Sequence, residues 1–190
     1  MKLIFATNNQ NKIKEIKAAT GHRMDIVTLK EAGIDIDIPE PYDTLQENAE
    51  TKAKTIFKMT YENCFSEDTG LEVDELDGAP GVHTARYAGE QKSDANNIAL
   101  LLKNLEGNSN RKARFRTVIY LIYEGQHHSF EGVCDGSIAE KASGADGFGY
   151  DPIFISNGDT RTFAEMSMEE KAKYSHRKKA LEKLIAFLLK

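Results

Sequence analysis

The sequence lacks tryptophan and has only two cysteines and four prolines. Cys64 and Cys134 stand far apart and without CxxC spacing, which excludes a disulfide framework and a cysteine zinc site and leaves reduced, packed thiols as the expectation. Long apolar runs are missing too: VIYLIY at 118 to 123 is far too short to span a bilayer, so no membrane partner is expected. The opening MKLIFATNNQNK turns polar too soon for a signal peptide, which points to a soluble, cytoplasmic protein. Basic residues are outnumbered, 25 Lys and Arg against 30 Asp and Glu, giving a net charge of -5. Such a balance disfavours general binding to a phosphate backbone, and no stable nucleic-acid partner is expected. Repeats, low-complexity tracts and linkers are absent as well, so the 190 residues are expected to form a single domain, 1–190.

What is present alternates between strand and helix signals. LIFA at 3 to 6 leads through the polar TNNQN into KIKEIKAAT, where Ile13, Ile16 and Ala19 recur at helical spacing. IDIDIP at 34 to 39 alternates apolar and acidic side chains at period two and predicts a half-buried strand closed by Pro39. Thr44 and Glu47 form a capping box ahead of a helix through about residue 58, and Ser93 caps another that Gly107 ends. FRTVIYLIY at 115 to 123 and HHSFEGVCDGSI at 127 to 138, separated by Glu124-Gly125-Gln126, read as an antiparallel hairpin. Antiparallel pairing in an α/β chain implies a mixed sheet. Ala180, Leu181, Leu184, Ile185 and Leu188 make an amphipathic closing helix with Ser175 as its cap.

Four segments could carry chemistry. In ATNNQNK at 6 to 12 a strand enters a polar loop and a helix, offering open backbone amides, a positive dipole end and the mobile charge of Lys12 to a phosphate. Glu40 and the Glu67-Asp68 doublet, with Asp68 expected at a strand end just before a flexible Thr69-Gly70 turn, could converge on a hard cation such as Mg2+, which keeps waters and bridges substrate phosphates. In GADGFGYDPIF at 144 to 154, glycines let the backbone approach a ligand while Phe148 offers a stacking face. In EKAKYSHRKK at 170 to 179, Lys171, His176 and Arg177 gather donors at a helix start. Taken alone, ATNNQNK, the acids and EKAKYSHRKK read more readily as an ordinary loop, a solvated acidic face and a basic helix surface, and GADGFGYDPIF as readily as a glycine-rich turn. Together they are the parts of a nucleoside triphosphate site.

In order and spacing these motifs resemble the inosine triphosphate pyrophosphatase family, also called Ham1-type non-canonical purine nucleoside triphosphate pyrophosphatases. The (S/T)xNxxK pattern appears as Thr7, Asn9 and Lys12, and the acidic loop with ENAxxKA as Glu40 and residues 47 to 53. EDTGLEVDELDGAPG at 67 to 81 runs on into TARYAG, with GFGYDPIF at 147 to 154 and SHRKKAL at 175 to 181. Leu45 stands where the family usually has Phe, His83 where it often has Tyr, and Ala172 where it commonly has Asn.

The resemblance implies an elongated α/β fold, a mixed, twisted sheet flanked by helices in two lobes with a central nucleotide cleft, and a homodimer. It implies Asp68 as proton acceptor and metal ligand, with Glu40 as the second Mg2+ ligand and Glu67 assisting through the metal's outer waters. Substrate contacts fall to Thr7, Asn8, Asn9, Gln10, Asn11, Lys12, Lys52, Thr69, Phe148, Gly149, Tyr150, Asp151, Lys171, His176 and Arg177. Arg177, a donor only, would favour a purine 6-keto acceptor over the 6-amino group of adenine. Glu72, Asp74, Glu75 and Asp77 interrupt Leu71, Val73 and Leu76 and read as the polar partners of a buried stripe. The implied activity is Mg2+-dependent hydrolysis of ITP, dITP and XTP to the monophosphate and pyrophosphate, cleansing the nucleotide pool. The alternatives are a pyrophosphatase for another modified nucleotide, a non-catalytic nucleotide sensor and, least compatible with the charge, an RNA-binding module.

Overall fold

The structure is a computed structural model that describes residues 2–190; Met1, the first residue of the leader reading, lies outside them. Its elements run β1 (Lys2–Phe5), α1 (Gln10–Thr20), β2 (Asp25–Thr28), α2 (Leu45–Thr60), β3 (Cys64–Val73), β4 (Pro80–Gly81), α3 (Asp94–Asn104), β5 (Lys112–Tyr123), β6 (Gln126–Ile138), β7 (Phe154–Ser156), α4 (Met168–Ala172) and α5 (His176–Leu188). The sheet is mixed, in the order β2-β1-β3-β5-β6-β7 with β4 on β3. β1 lies parallel to β2 and β3, whereas β6 pairs antiparallel with β7.

By compactness the chain divides into two units. The first runs up to Asp68 and adds Thr117–Gly132 and Arg177–Lys190; the second holds Thr69–Arg116 and Val133–His176. In the first, Ile13 and Ile16 of α1 and Leu181, Leu184 and Ile185 of α5 are buried with Leu3, Phe5, Ile26 and Phe65 of the strands. Phe5 and Phe65, register partners on β1 and β3, stack at 4.5 Å. In the second, Leu71, Val73, Leu101, Leu105, Phe115, Tyr150, Phe154 and Phe163 form a separate core. Each such side chain taken from water contributes about 1.5–3 kcal/mol, so both cores rest on apolar burial.

Local chemistry fixes the helix starts. Asn9 caps α1, its side chain accepting from the amides of Asn11 and Lys12 at 3.0 and 3.1 Å. At α2, Thr44 Oγ1 accepts from the Glu47 amide at 3.1 Å and donates to the Glu47 carboxylate at 2.6 Å, so only the hydroxyl half of the expected box is formed, the acid turning onto the hydroxyl instead of the Thr44 amide. Ser93 caps α3 as read, through the Asn96 amide at 3.3 Å. The hairpin of β5 and β6 turns on Glu124 and Gly125, both at positive φ, and it begins at Lys112, three residues before the reading.

Two expectations need correction. IDIDIP is not a strand: residues 35–41 have no regular structure, although Ile36 and Ile38 are half-buried and Asp35 and Asp37 exposed. Alternation sets which side chains turn inward, and it does not supply a neighbouring strand; Ile36 accepts instead from the Asn8 side-chain amide at 2.8 Å. The Glu67-Asp68 doublet does not sit at a strand end before a flexible turn, because β3 continues through Thr69 and Gly70 to Val73. Gly70 is required there by close packing, since a Cβ on it would meet the Gly81 carbonyl oxygen of β4 at 2.8 Å.

Candidate active site

In the first unit, Lys52 of α2 reaches two carboxylates. Its Nζ donates to Glu40 at 2.5 Å and to Asp68 at 3.1 Å. Lys52 and Asp68 are both buried, while the Glu40 side chain keeps 30% of its surface exposed. Glu40 is carried by an irregular loop that Asn48 ties down, accepting from the Tyr42 amide at 3.0 Å and donating to the Tyr42 carbonyl at 2.9 Å. The middle of the ENA motif thus has a structural task that places Glu40 within reach of Lys52. Burial would lower the Lys52 pKa, but Asp68 and Glu40 together raise it above the ordinary lysine value, so the ammonium stays charged. Asp68 goes the other way: burial, with Glu40 adding to it, holds its pKa above the usual aspartate value against the pull of Lys52 and Lys12.

Glu67, one residue earlier on β3, points to different partners, as consecutive strand residues do. Arg177 grips it with two bonds, Nε to Oε2 at 2.7 Å and Nη2 to Oε1 at 3.0 Å. Lys12 adds a 3.2 Å ion pair, and the Glu67 side chain is wholly buried. Burial alone would raise the Glu67 pKa, but Arg177 and Lys12 hold it far below the carboxylate range. Arg177 is buried as well, and its third nitrogen donates to Glu15 of α1. The guanidinium expected to read a base is therefore engaged by two acids in this structure. Glu15 escaped the sequence reading; its signal was its place three residues after Lys12, on the same face of α1.

The loop at Thr7 to Lys12 differs in detail from its reading. The amides expected to be open to a phosphate are engaged within the loop: those of Asn11 and Lys12 by the Asn9 side chain, and that of Asn9 by Thr7 Oγ1 at 3.2 Å. Asparagine before a helix is itself a capping signal, and it competes with a ligand for these donors. Gln10, the first residue of α1, donates from its side chain to the Asn8 carbonyl at 3.4 Å.

The second unit gathers its own cluster. Lys171 of α4 donates to Asp151 Oδ2 at 2.6 Å, with both side chains buried. The same ammonium lies 5.2 Å from the Phe148 ring centre and 5.4 Å from that of Phe163. Asp151 Oδ2 also accepts from the Phe148 amide at 3.0 Å. Gly149 donates its amide to Asp94 of α3 at 2.7 Å, a partner the sequence reading missed. Tyr150, expected in the substrate segment, turns its ring into the second core and donates its hydroxyl to the Thr84 carbonyl at 2.9 Å. His176 is buried and stacks on Phe115 at 4.6 Å. Thr69 is half-buried on β3.

Two further acids of EDTGLEVDELDGAPG have polar partners. Glu72 receives Arg114 at 2.6 Å and Arg116 at 2.9 Å, and Glu75 accepts from Asn110 at 3.1 Å. Cys64 and Cys134 are buried free thiols, and burial pushes the Cys64 pKa up to about 12.

Among the described residues no group of three or more His, Cys, Asp and Glu side chains is placed to hold a metal ion. A magnesium ion that keeps its waters and bridges phosphates needs only one or two protein carboxylates, and Glu40 and Asp68 are such a pair. The lysine ammonium within 3.1 Å of both marks a position already suited to positive charge. The donor set fits. No helix among the described residues is long and apolar enough to cross a membrane.

Comparison with known proteins agrees along the length of the chain. Residues 3–187 match the model of the Ham1 family. A dITP/XTP pyrophosphatase of Porphyromonas gingivalis is 51% identical over 99% of this chain and 97% of its own, and one of Christiangramia forsetii is 47% identical over the whole of both. Among solved structures, the Staphylococcus aureus Ham1 protein superposes with a TM-score of 0.89 at 38% identity, covering 99% of this chain and 98% of its own. A HAM1 protein from Coxiella burnetii gives 0.90 at 35% identity, covering 100% and 98%.

Proposed function

This chain belongs to the Ham1 family, and we propose that it hydrolyses non-canonical purine nucleoside triphosphates such as dITP, ITP and XTP to the monophosphate and pyrophosphate. The observation that carries the reading is the meeting of half-buried Glu40 with buried Lys52 and Asp68 in the first unit. A nucleotide sensor has no use for two carboxylates drawn to one point, whereas a phosphate-ester hydrolase needs a water oriented and relieved of a proton. Asp68 is the proton acceptor: burial makes it more basic than an exposed aspartate, while Lys52 opposes that rise and fixes the carboxylate in position. Glu40 and Asp68 would hold Mg2+ together, which when bound supplies charge neutralisation for the phosphates and a more acidic water.

Lys12 and Lys52 bring positive charge to a site that must accept a polyanion. Glu67, locked by Arg177 and Lys12, sets where Lys12 stands and is not itself placed as a metal ligand. In the second unit we assign Phe148, Gly149, Asp151, Lys171 and His176 to the substrate, with Phe148 offering its ring to the purine. The loop Thr7 to Lys12, Thr69, Tyr150 and Arg177 belong to the same assignment, Tyr150 and Arg177 through the groups they anchor. A cytoplasmic homodimer completes the proposal.

The deciding experiment incubates the purified protein with Mg2+ and ITP, dITP, XTP, ATP or GTP, and scores monophosphate and pyrophosphate. Hydrolysis of the first three well above the last two is expected. ATP turned over as fast as ITP would remove the proposed selectivity, and orthophosphate in place of pyrophosphate would remove the bond assignment.

A further inference from the structure

The turn that carries Phe148 is held chiefly through its backbone. Gly147 and Gly149 flank the aromatic with φ of 79° and 61°, conformations open to glycine and strained for other residues. Two permissive residues on either side leave the ring's direction underdetermined by the chain itself. Two carboxylates supply what the chain does not. Asp151 accepts the Phe148 amide at 3.0 Å and is itself fixed by Lys171. Its carboxylate fills the space where a side chain on residue 147 would begin. Asp94 accepts the next amide, that of Gly149, at 2.7 Å.

Asp94 comes from outside the turn's own motif. It is the first residue of α3, behind the Ser93 cap, and α3 is anchored in the second core by Leu101. Asn97, one turn along, is buried and accepts from the Ala88 amide at 2.7 Å while donating to the Ala85 carbonyl at 3.0 Å. The carboxylate is therefore mounted on a rigid support, and its bond to Gly149 is charge-assisted. We propose that Asp94 is a positioning residue that fixes the Phe148 platform for the purine. The proposal rests on the function proposed above. Lys171 stands at one side of the ring and Asp151 behind its amide; the carbonyl of the Phe148–Gly149 peptide accepts from the Asp151 amide at 3.2 Å, and Asp94 holds the same peptide by its other end, the Gly149 N–H.

Because Asp94 is exposed, water competes for the bond, and the effect should be graded rather than absolute. Asp94→Ala is expected to raise KM for ITP roughly ten-fold with kcat within about two-fold, and to speed hydrogen exchange of the Gly149 amide relative to Phe148, read by NMR. An acid in the first turn of a helix also favours the helix dipole, and two further variants separate that contribution. Asp94→Asn keeps an acceptor at the same reach and loses the charge, so it should restore KM and Gly149 protection. Asp94→Glu keeps the charge with the acceptor displaced by a methylene, so it should resemble Asp94→Ala. The reverse pattern, Glu like wild type and Asn like Ala, would overturn the proposal, as would an unchanged KM in Asp94→Ala. If the wild-type protein itself fails to hydrolyse ITP, the proposed activity falls, and unchanged Gly149 exchange in Asp94→Ala would then overturn Asp94's hold on the turn independently.

Discussion

Adjacent acids on one strand have opposite fates here. Asp68 meets a lysine that bridges it to a second carboxylate, while Glu67 is sealed between an arginine and a lysine. The first arrangement leaves a carboxylate more basic than an ordinary aspartate; the second leaves one paired with two cations. Asp68→Asn keeps the shape and removes the proton acceptor, so turnover of ITP should fall on the order of 100- to 10,000-fold with the fold retained. Glu67→Gln should act first on folding, since Arg177 would keep a buried charge with half its compensation gone, and such a loss costs about 3–5 kcal/mol. Urea denaturation beside ITP turnover distinguishes them. An Asp68→Asn protein with normal turnover, or a Glu67→Gln protein of normal stability, would contradict the division. The EDTGLEVDELDGAPG motif singled out the acid beside Thr69-Gly70, but not Glu67's burial, because Arg177 and Lys12 lie far from it in sequence and only the strand's alternation separates the two side chains.

At the scale of elements, local signals were legible and pairing was not. Thr44, Ser93 and the 3.6-residue spacing of Ile13 and Ile16 announce their helices, because capping and amphipathicity act within a few residues. The acid-alternating stretch at 34 to 39 reads as a strand and is not one, because a ladder needs a partner that no local pattern encodes. One acid nearby shows how a turn is pinned. Glu31 accepts from the Thr28 amide at 2.7 Å, receives Lys17 of α1 at 3.1 Å, and its own amide donates to the Thr28 hydroxyl at 3.1 Å. The bonds to its carboxylate, those from Thr28 first and then Lys17, lower its pKa from 4.5 to about 2. A depressed carboxylate contributes stability that is full above about pH 4.5 and is lost as the pH falls toward about 2. Half the side chain is exposed, so solvent screening keeps the contribution below about 1 kcal/mol. Glu31→Gln should therefore lower the urea midpoint at about pH 5 and match the wild type more closely at about pH 3. An equal deficit at both values would assign the effect to packing.

For the molecule as a whole, the question is whether the metal is needed for folding or only for the reaction. Small metal-dependent domains unfold when the ion is removed, because too little apolar surface is buried without it. This chain buries two apolar cores, one around Phe5, Phe65 and Leu184 and one around Phe115, Phe154 and Phe163, and neither includes Glu40 or Asp68. The expected ligands Glu40 and Asp68 also share the Lys52 ammonium, so their mutual repulsion is offset with no ion present. Stability and turnover should consequently part company. With excess chelator the protein should melt within about ten degrees of its Mg2+-loaded form, since a weakly bound ion at about 100 times its Kd adds only about 2.7 kcal/mol. ITP hydrolysis should fall to background under the same chelator and return on adding Mg2+. Glu40→Gln, with one carboxylate fewer, should need more Mg2+ to reach half its maximal rate while its apo melting temperature stays near that of the wild type, because Lys52 retains Asp68. Full turnover in chelator would remove the metal from the proposed reaction, and a collapse of the melting temperature in chelator would mean that the two cores do not hold the fold without it.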